Sequence, residues 1–146
     1  MRVMALDWGQ KRIGVALSVE GTSIAGPLTM LPNDRRLLDR IEALVKEHVV
    51  DQLVVGIPLR MDGTLGASAQ AARELAQDLK ARGFCVHLWD ERLTSRQAER
   101  LLIHDDVRRK HRRQRVDQVA AALILQSFLD SREAKRHKKG GDVDNG

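Results

Sequence analysis

Apolar residues follow two rhythms along this chain. Unbroken runs at Val3–Leu6, Ile13–Leu17 and Leu53–Ile57 have the pattern of strands buried on both faces. Pro27–Leu31 and Cys85–Trp89, the latter with Val86 and Leu88 at period two, add two more strands. Between them, Leu37, Leu38, Ile41, Leu44 and Val45 recur at helical spacing, which predicts an amphipathic helix over Asp34–His48 with Asn33 or Asp34 as its N-cap. A second helix is predicted over Ala67–Arg82, turning Ala69, Ala72, Leu75, Ala76 and Leu79 inward and stopping at Gly83. Thr94 or Ser95 offers a cap for a third helix running to about Ile103, and Val116, Val119, Ala120, Leu123, Ile124 and Leu125 mark a last one over Arg115–Asp130.

The short polar link Gly9–Arg12 folds the second run back antiparallel on the first. The strand–helix–strand unit that follows implies a right-handed parallel crossover, so Leu53–Ile57 is expected beside Val3–Leu6. Gly9 and Gly14 permit close backbone approach or positive φ. The loop Gly56–Gly66 then starts at the carboxyl end of a central strand, on the same rim as Asp7, where open α/β sheets place their ligands.

Composition narrows the class. A chain of 146 residues with 42% hydrophobic positions is one domain, expected to span residues 1–130, followed by a basic tail over 131–146 whose lack of apolar periodicity predicts disorder. The single cysteine, Cys85, excludes an internal disulfide and is expected to pack in the core. No apolar run approaches the roughly 18 residues of a membrane helix, and the start of the chain is unlike a signal peptide, so the expected location is the cytoplasm. His48 and His87 have no partner at ligand spacing and are read as structural.

The net charge is +5, and much of it is gathered in Arg108, Arg109, Lys110, Arg112, Arg113 and Arg115, with a second cluster between Arg132 and Lys139. The first block lies inside the domain between two helices, which points to a polyanionic partner.

Three acids stand at element ends: Asp7 after the first strand, Glu91 about two residues past the fifth, and Asp117 in the first turn of the last helix. Each has an ordinary reading of its own; Asp117, for example, suits a helix N-terminus by charge alone. Brought to one rim, they would repel one another unless cations neutralised them. All-oxygen ligands favour Mg²⁺ or Mn²⁺, and a pair of such ions about 3.5 to 4 Å apart serves in-line displacement at phosphorus. Acids to hold metal among arginines to hold phosphate point to a nuclease.

The segments DWGQKRIGVAL, VVGIPLRMDGT, DERLTS and RVDQVAAALILQSFLD, in this order and spacing, resemble the YqgF family of RNase H-like proteins, described as pre-16S rRNA nucleases and earlier as Holliday junction resolvases. The resemblance covers about Arg2 to Asp130. It implies an α/β fold, a five-stranded mixed sheet of order 3-2-1-4-5 with helices on both faces, and that Asp7, Glu91 and Asp117 match the family's acidic active-site positions. Two departures stand out. No fourth acid is compelling, with Asp90 and Asp62 the nearest in sequence, and the segment before Asp117 is richer in arginine than a glycine- and lysine-containing family loop.

The expected activity is metal-dependent hydrolysis of phosphodiester bonds in structured nucleic acid, most simply at the 5′ end of pre-16S rRNA, with the ribosome as a possible associate. Lys11, Arg12, Arg92 and the Arg108–Arg115 block are the candidate grips on the flanking backbone. Aromatic residues make up only 3% of the chain, which favours recognition of backbone and shape over base stacking. Branched DNA is the alternative substrate, and a non-catalytic RNA-binding assembly factor a rival that needs the basic surface but not the acids. The aspartate hairpin also occurs in actin-like kinases, which clamp nucleotide between two such domains where this chain has one. Monomer and homodimer are both open.

Overall fold

β1 (Val3–Asp7) occupies the middle of the molecule because it pairs on both edges. It runs antiparallel to β2 (Arg12–Ser18), which pairs antiparallel with β3 (Ala25–Pro32), and parallel to β4 (Gln52–Ile57), which pairs parallel with β5 (Val86–Asp90). The resulting sheet has the order β3-β2-β1-β4-β5, as expected. The structure, a computed structural model, describes residues 1–92 and 120–133. The predicted helix from Thr94 to Ile103, the Arg108–Arg115 block, Asp117 and the segment from residue 134 onward lie outside the described residues.

Alternation along the strands divides the core in two. On one face Met4, Leu6, Ile13, Val15, Leu53 and Val55 meet α1 (Leu37–Glu47) and α2 (Ala67–Ala81). All five residues expected to face inward from α2 are buried, as are Leu37, Ile41 and Val45 of α1. On the other face Val3, Ala5, Ala16 and Val54 meet a helical stretch over residues 120–133 through Ala121, Ile124, Leu125, Phe128 and Leu129. Side chains one residue apart on a strand point to opposite faces, so Asp7 falls on the second face with Val3 and Ala5.

The 120–133 helix is tied across that face by polar contacts. The side-chain amide of Gln126 accepts from the Ala25 backbone N–H at 2.9 Å and donates to the Ser23 carbonyl at 2.9 Å. The Trp89 indole donates to Ser127 Oγ at 3.2 Å, and Arg132 donates to Gln52 Oε1 at 2.7 Å while lying over the Phe128 ring. The helix therefore continues beyond the expected end at Asp130, as far as residue 133.

Two local expectations are corrected. α1 starts at Leu37, with no side-chain cap at Arg36, because the polar residues before it are used elsewhere. Asn33 donates its side-chain amide to the Gly9 carbonyl at 2.7 Å and its backbone N–H to the Lys11 carbonyl at 2.9 Å, while Asp34 accepts from the Arg36 backbone N–H and pairs with Arg40. Cys85 is exposed rather than packed in the core: β5 begins one residue later, at Val86.

Candidate active site

The carboxyl rim of the central strands gathers the candidate chemistry. Asp7 is the last residue of β1, and its cross-strand neighbours are Gly14 on β2 and Gly56 on β4. With no side chain of their own, these two glycines leave room on the face that carries the 120–133 helix for a second side chain to reach the Asp7 carboxylate. Glu91 is the first residue past β5, and its backbone N–H donates to the Ile57 carbonyl at 3.0 Å, extending the ladder by one step. From there its side chain crosses Gly56: a Cβ built on that glycine would lie 3.0 Å from both Cγ and Oε1 of Glu91 and 2.7 Å from Cδ1 of Ile124. A glycine inside an otherwise doubly buried strand commonly marks such a close approach. Gly56 is the residue that the sequence reading passed over, and that pattern was its available signal.

The two carboxyl groups meet. Burial is the largest cause of a Glu91 pKa pushed up to about 9, followed by its hydrogen bond to Asp7 and the negative charges of Asp7 and Asp90. So close a pair retains a proton that separate carboxyl groups would lose, Glu91 being the acid whose pKa is raised. A half-buried acid pair that must retain a proton to coexist favours positive charge in the proton's place, and hard cations fit its all-oxygen chemistry. Among the described residues no group of three or more His, Cys, Asp or Glu side chains gathers to hold an ion. The third expected acid, Asp117, lies outside the described residues.

The other candidates divide. Lys11 and Arg12 are exposed and line a cleft of about 270 Å³ together with Asp7, Trp8, Gly9, Gly14 and Met30. The hairpin that carries them requires its glycine, since a Cβ on Gly9 would collide with the Arg12 carbonyl oxygen. Arg92 is engaged by Asp90, donating from Nη2 at 2.7 Å and from Nε at 2.9 Å to Oδ2. That guanidinium holds the Asp90 carboxyl below its usual range. Asp62 accepts from the Thr64 hydroxyl at 2.6 Å and from its backbone N–H at 3.0 Å. Asp90 and Asp62 are thus occupied by neighbours in their own segments. His87 packs against Phe128 at 5.2 Å, and burial lowers its pKa, which suits the structural reading.

Known proteins share this sequence and fold. A "Putative pre-16S rRNA nuclease" from Bacillus thuringiensis (strain Al Hakam) and another from Bacillus cereus (strain G9842) are each 46% identical to this chain over 137 residues, covering 90% of it and 100% of the relative. Among solved structures, T. thermophilus RuvC in complex with a Holliday junction substrate superposes with a TM-score of 0.58 at 16% identity, covering 92% of this chain and 96% of that one. The Fowlpox virus resolvase with its Holliday junction DNA gives 0.54 at 12% identity, covering 90% and 98%. These two likenesses show the fold alone. The model of the RuvX family, described as Holliday junction resolvase, matches residues 1–131, and with most of the chain matched this chain belongs to that family.

Proposed function

We propose that this protein is a divalent-metal-dependent endonuclease acting on structured nucleic acid, and that its substrate is the 5′ end of pre-16S rRNA, as the names of its 46% identical relatives suggest. The observation that carries the reading is the Asp7–Glu91 pair: two carboxyl groups from remote strands, meeting on the rim beside an open cleft lined by Lys11 and Arg12. Asp7, Glu91 and Asp117 would hold Mg²⁺ or Mn²⁺. When bound, such an ion supplies Lewis acidity at the phosphoryl group and acidifies an attacking water.

The protein's own residues do the rest. Asp7 presents its carboxylate from a strand end flanked by glycines, where the gap over Gly56 lets Glu91 join it and the cleft beside Gly14 gives substrate its approach. Glu91 would hold the ion in its deprotonated form, so the proton it keeps in the metal-free pair would be given up on binding. Lys11 and Arg12 grip backbone phosphates along the cleft, and the Arg108–Arg115 block extends the grip toward Asp117 in sequence. No covalent protein intermediate is required.

The test is cleavage of matched structured RNAs and four-way DNA junctions by the full chain with Mg²⁺ or Mn²⁺, alongside Asp7→Asn, Glu91→Gln and Asp117→Asn. Preference for RNA, lost in each variant, supports the reading. Preference for the junction moves the substrate to branched DNA, in keeping with the family description. Tight RNA binding without cleavage by wild type would make the protein an assembly factor.

A further inference from the structure

Most of the large apolar side chains exposed among the described residues stand at the pole away from the acids. Met1 and Val49 precede β1 and β4, and Val19 and Ile24 lie in the turn between β2 and β3. The acid rim differs. There the loop between β4 and α2 carries Met61, at 94% exposure the most exposed of the set, with Leu65 a few residues on. A single exposed methionine is ordinary. Its mounting here is not.

Met61 and Asp62 are the central residues of a tight turn closed by the Gly63 N–H donating to the Arg60 carbonyl at 2.8 Å, and closed again by the Arg60 N–H donating to the Thr64 carbonyl at 3.0 Å. Asp62 locks the turn through its two bonds to Thr64, and Gly63 takes the left-handed conformation it needs at φ +86°. The Asp62 and Thr64 side chains are thus spent on holding the turn, while Met61, the one long apolar side chain within it, stands in solvent.

Cations flank the tip. Arg60 opens the turn, and a Cβ on Gly63 would stand 3.6 Å from Nη1 of Arg92, the residue after Glu91. An apolar tip on a stiff turn that carries Arg60 and rests near Arg92, the residue after Glu91 that Asp90 holds in place, matches what a deformed nucleic acid requires. Cations hold the phosphates, and an unbranched, polarisable side chain enters between bases that have been pulled apart. Tyrosine is absent and aromatic residues are 3% of the chain, so the usual stacking platforms are scarce.

We propose that Met61 is a wedge that inserts into a base step next to the phosphodiester presented to Asp7 and Glu91, making distorted or distortable steps the preferred cleavage sites. The proposal rests on the nuclease reading for the step's place beside a cleaved bond. Insertion itself is measurable without cleavage.

The full-length Asp7→Asn protein, with Met61 intact or changed to Ala or Leu, is bound to an RNA hairpin and to a four-way DNA junction carrying 2-aminopurine at successive steps. With Met61, fluorescence rises at one step on binding; Met61→Ala abolishes the rise and Met61→Leu keeps it. In the cleavage-competent chain, Met61→Ala slows cleavage of a fully paired site about tenfold, and changes cleavage of a site with a mismatch at that step less than about twofold, because the mismatch has already met the cost of unstacking. The melting temperature of Met61→Ala matches wild type, since the side chain is almost wholly in solvent.

The wedge is overturned if no step brightens on binding. It is equally overturned if Met61→Ala keeps the rise, or if it weakens paired and mismatched substrates alike with fluorescence per complex unchanged; in the last case Met61 is a plain contact, whether for nucleic acid or for a protein partner. A Met61-dependent rise in a protein that cleaves nothing sustains the wedge and removes the nuclease reading instead.

Discussion

Glu91 reaches Asp7 by passing over Gly56, where even a single added carbon would press on both Glu91 and Ile124. The acid pair is therefore a property of three strands, with a glycine as the gap between two carboxylate-bearing ones.

Gly56→Ala is expected to cost about 1 to 3 kcal/mol, the range for an extra carbon forced into a packed core. It should also displace Glu91 and sharply reduce cleavage. Combining it with Ile124→Val, which removes the Cδ1 atom at 2.7 Å, should recover part of the stability in urea unfolding while leaving Glu91 displaced. Recovery of full cleavage in the double variant would show that Glu91 does not need the gap.

The proton on Glu91 sets a pH dependence. Its folded pKa of about 9 lies above the ordinary 4.5, so between these values the native state holds a proton that the unfolded chain has lost. The stability of the metal-free protein should accordingly be greatest at the acid end of that window and fall as pH rises toward 9. Glu91→Gln should flatten this slope in chemical denaturation followed from pH 5 to pH 9. Asp7→Asn should abolish cleavage while largely keeping metal-free stability at neutral pH, because the asparagine side-chain oxygen still accepts from a protonated Glu91, and it should draw the Glu91 titration down by removing the negative charge beside it. A slope unchanged in Glu91→Gln would place the titration elsewhere.

Divalent ions and that proton compete for one place. Mg²⁺ or Mn²⁺ should raise the melting temperature with a free-energy gain of RT ln(1 + [L]/Kd), and binding should release a proton and tighten as pH rises. Calorimetry in buffers of different ionisation enthalpy measures the release. The triple variant Asp7→Asn, Glu91→Gln, Asp117→Asn should show neither effect; the same thermal shift in that variant would remove the ion from this rim.

Grip and chemistry should separate. Replacing Lys11 and Arg12 with alanine removes two contacts along the cleft and should lower the salt slope of log K by up to about 1.4 on single strands or 1.8 on duplex DNA. Alanine at Arg109, Arg112 and Arg113 should lower it by up to about 2 to 3. Turnover at saturating substrate should change far less in both, since the acids remain. Deleting residues 134–146, which leaves Arg132 and its bond to Gln52 in place, is the comparison. If the deletion loses the salt-dependent binding that the alanine variants keep, the tail is the grip.

The apolar runs were enough to place β1 between β2 and β4, because a strand buried on both faces has few places to go, and the motif resemblance supplied the remaining order. Asp7 was legible for the same reason: it is the first charge after such a run. What one-dimensional reading lacked was the third dimension of small polar groups. Asn33 looks like a helix cap until the hairpin 24 residues earlier offers it the Gly9 carbonyl. Cys85 looks buried until β5 is seen to begin at Val86. Gly56 shows its purpose only when a side chain from another strand crosses it.

The two faces of the sheet differ in how much change they can absorb. Beneath α1 and α2 lie Met4, Leu6, Ile13 and Leu53, long side chains that can exchange methylenes among themselves and still fill the space. Beneath the 120–133 helix lie Ala5 and Ala16, fully buried, facing Ala121 of the helix, with Gly56 at the rim. Side chains this short have no slack, so any carbon gained there lifts the helix instead of repacking around it. Sequence drift can therefore wander on one side of this protein, while the side that bears the acids is confined to substitutions that add nothing.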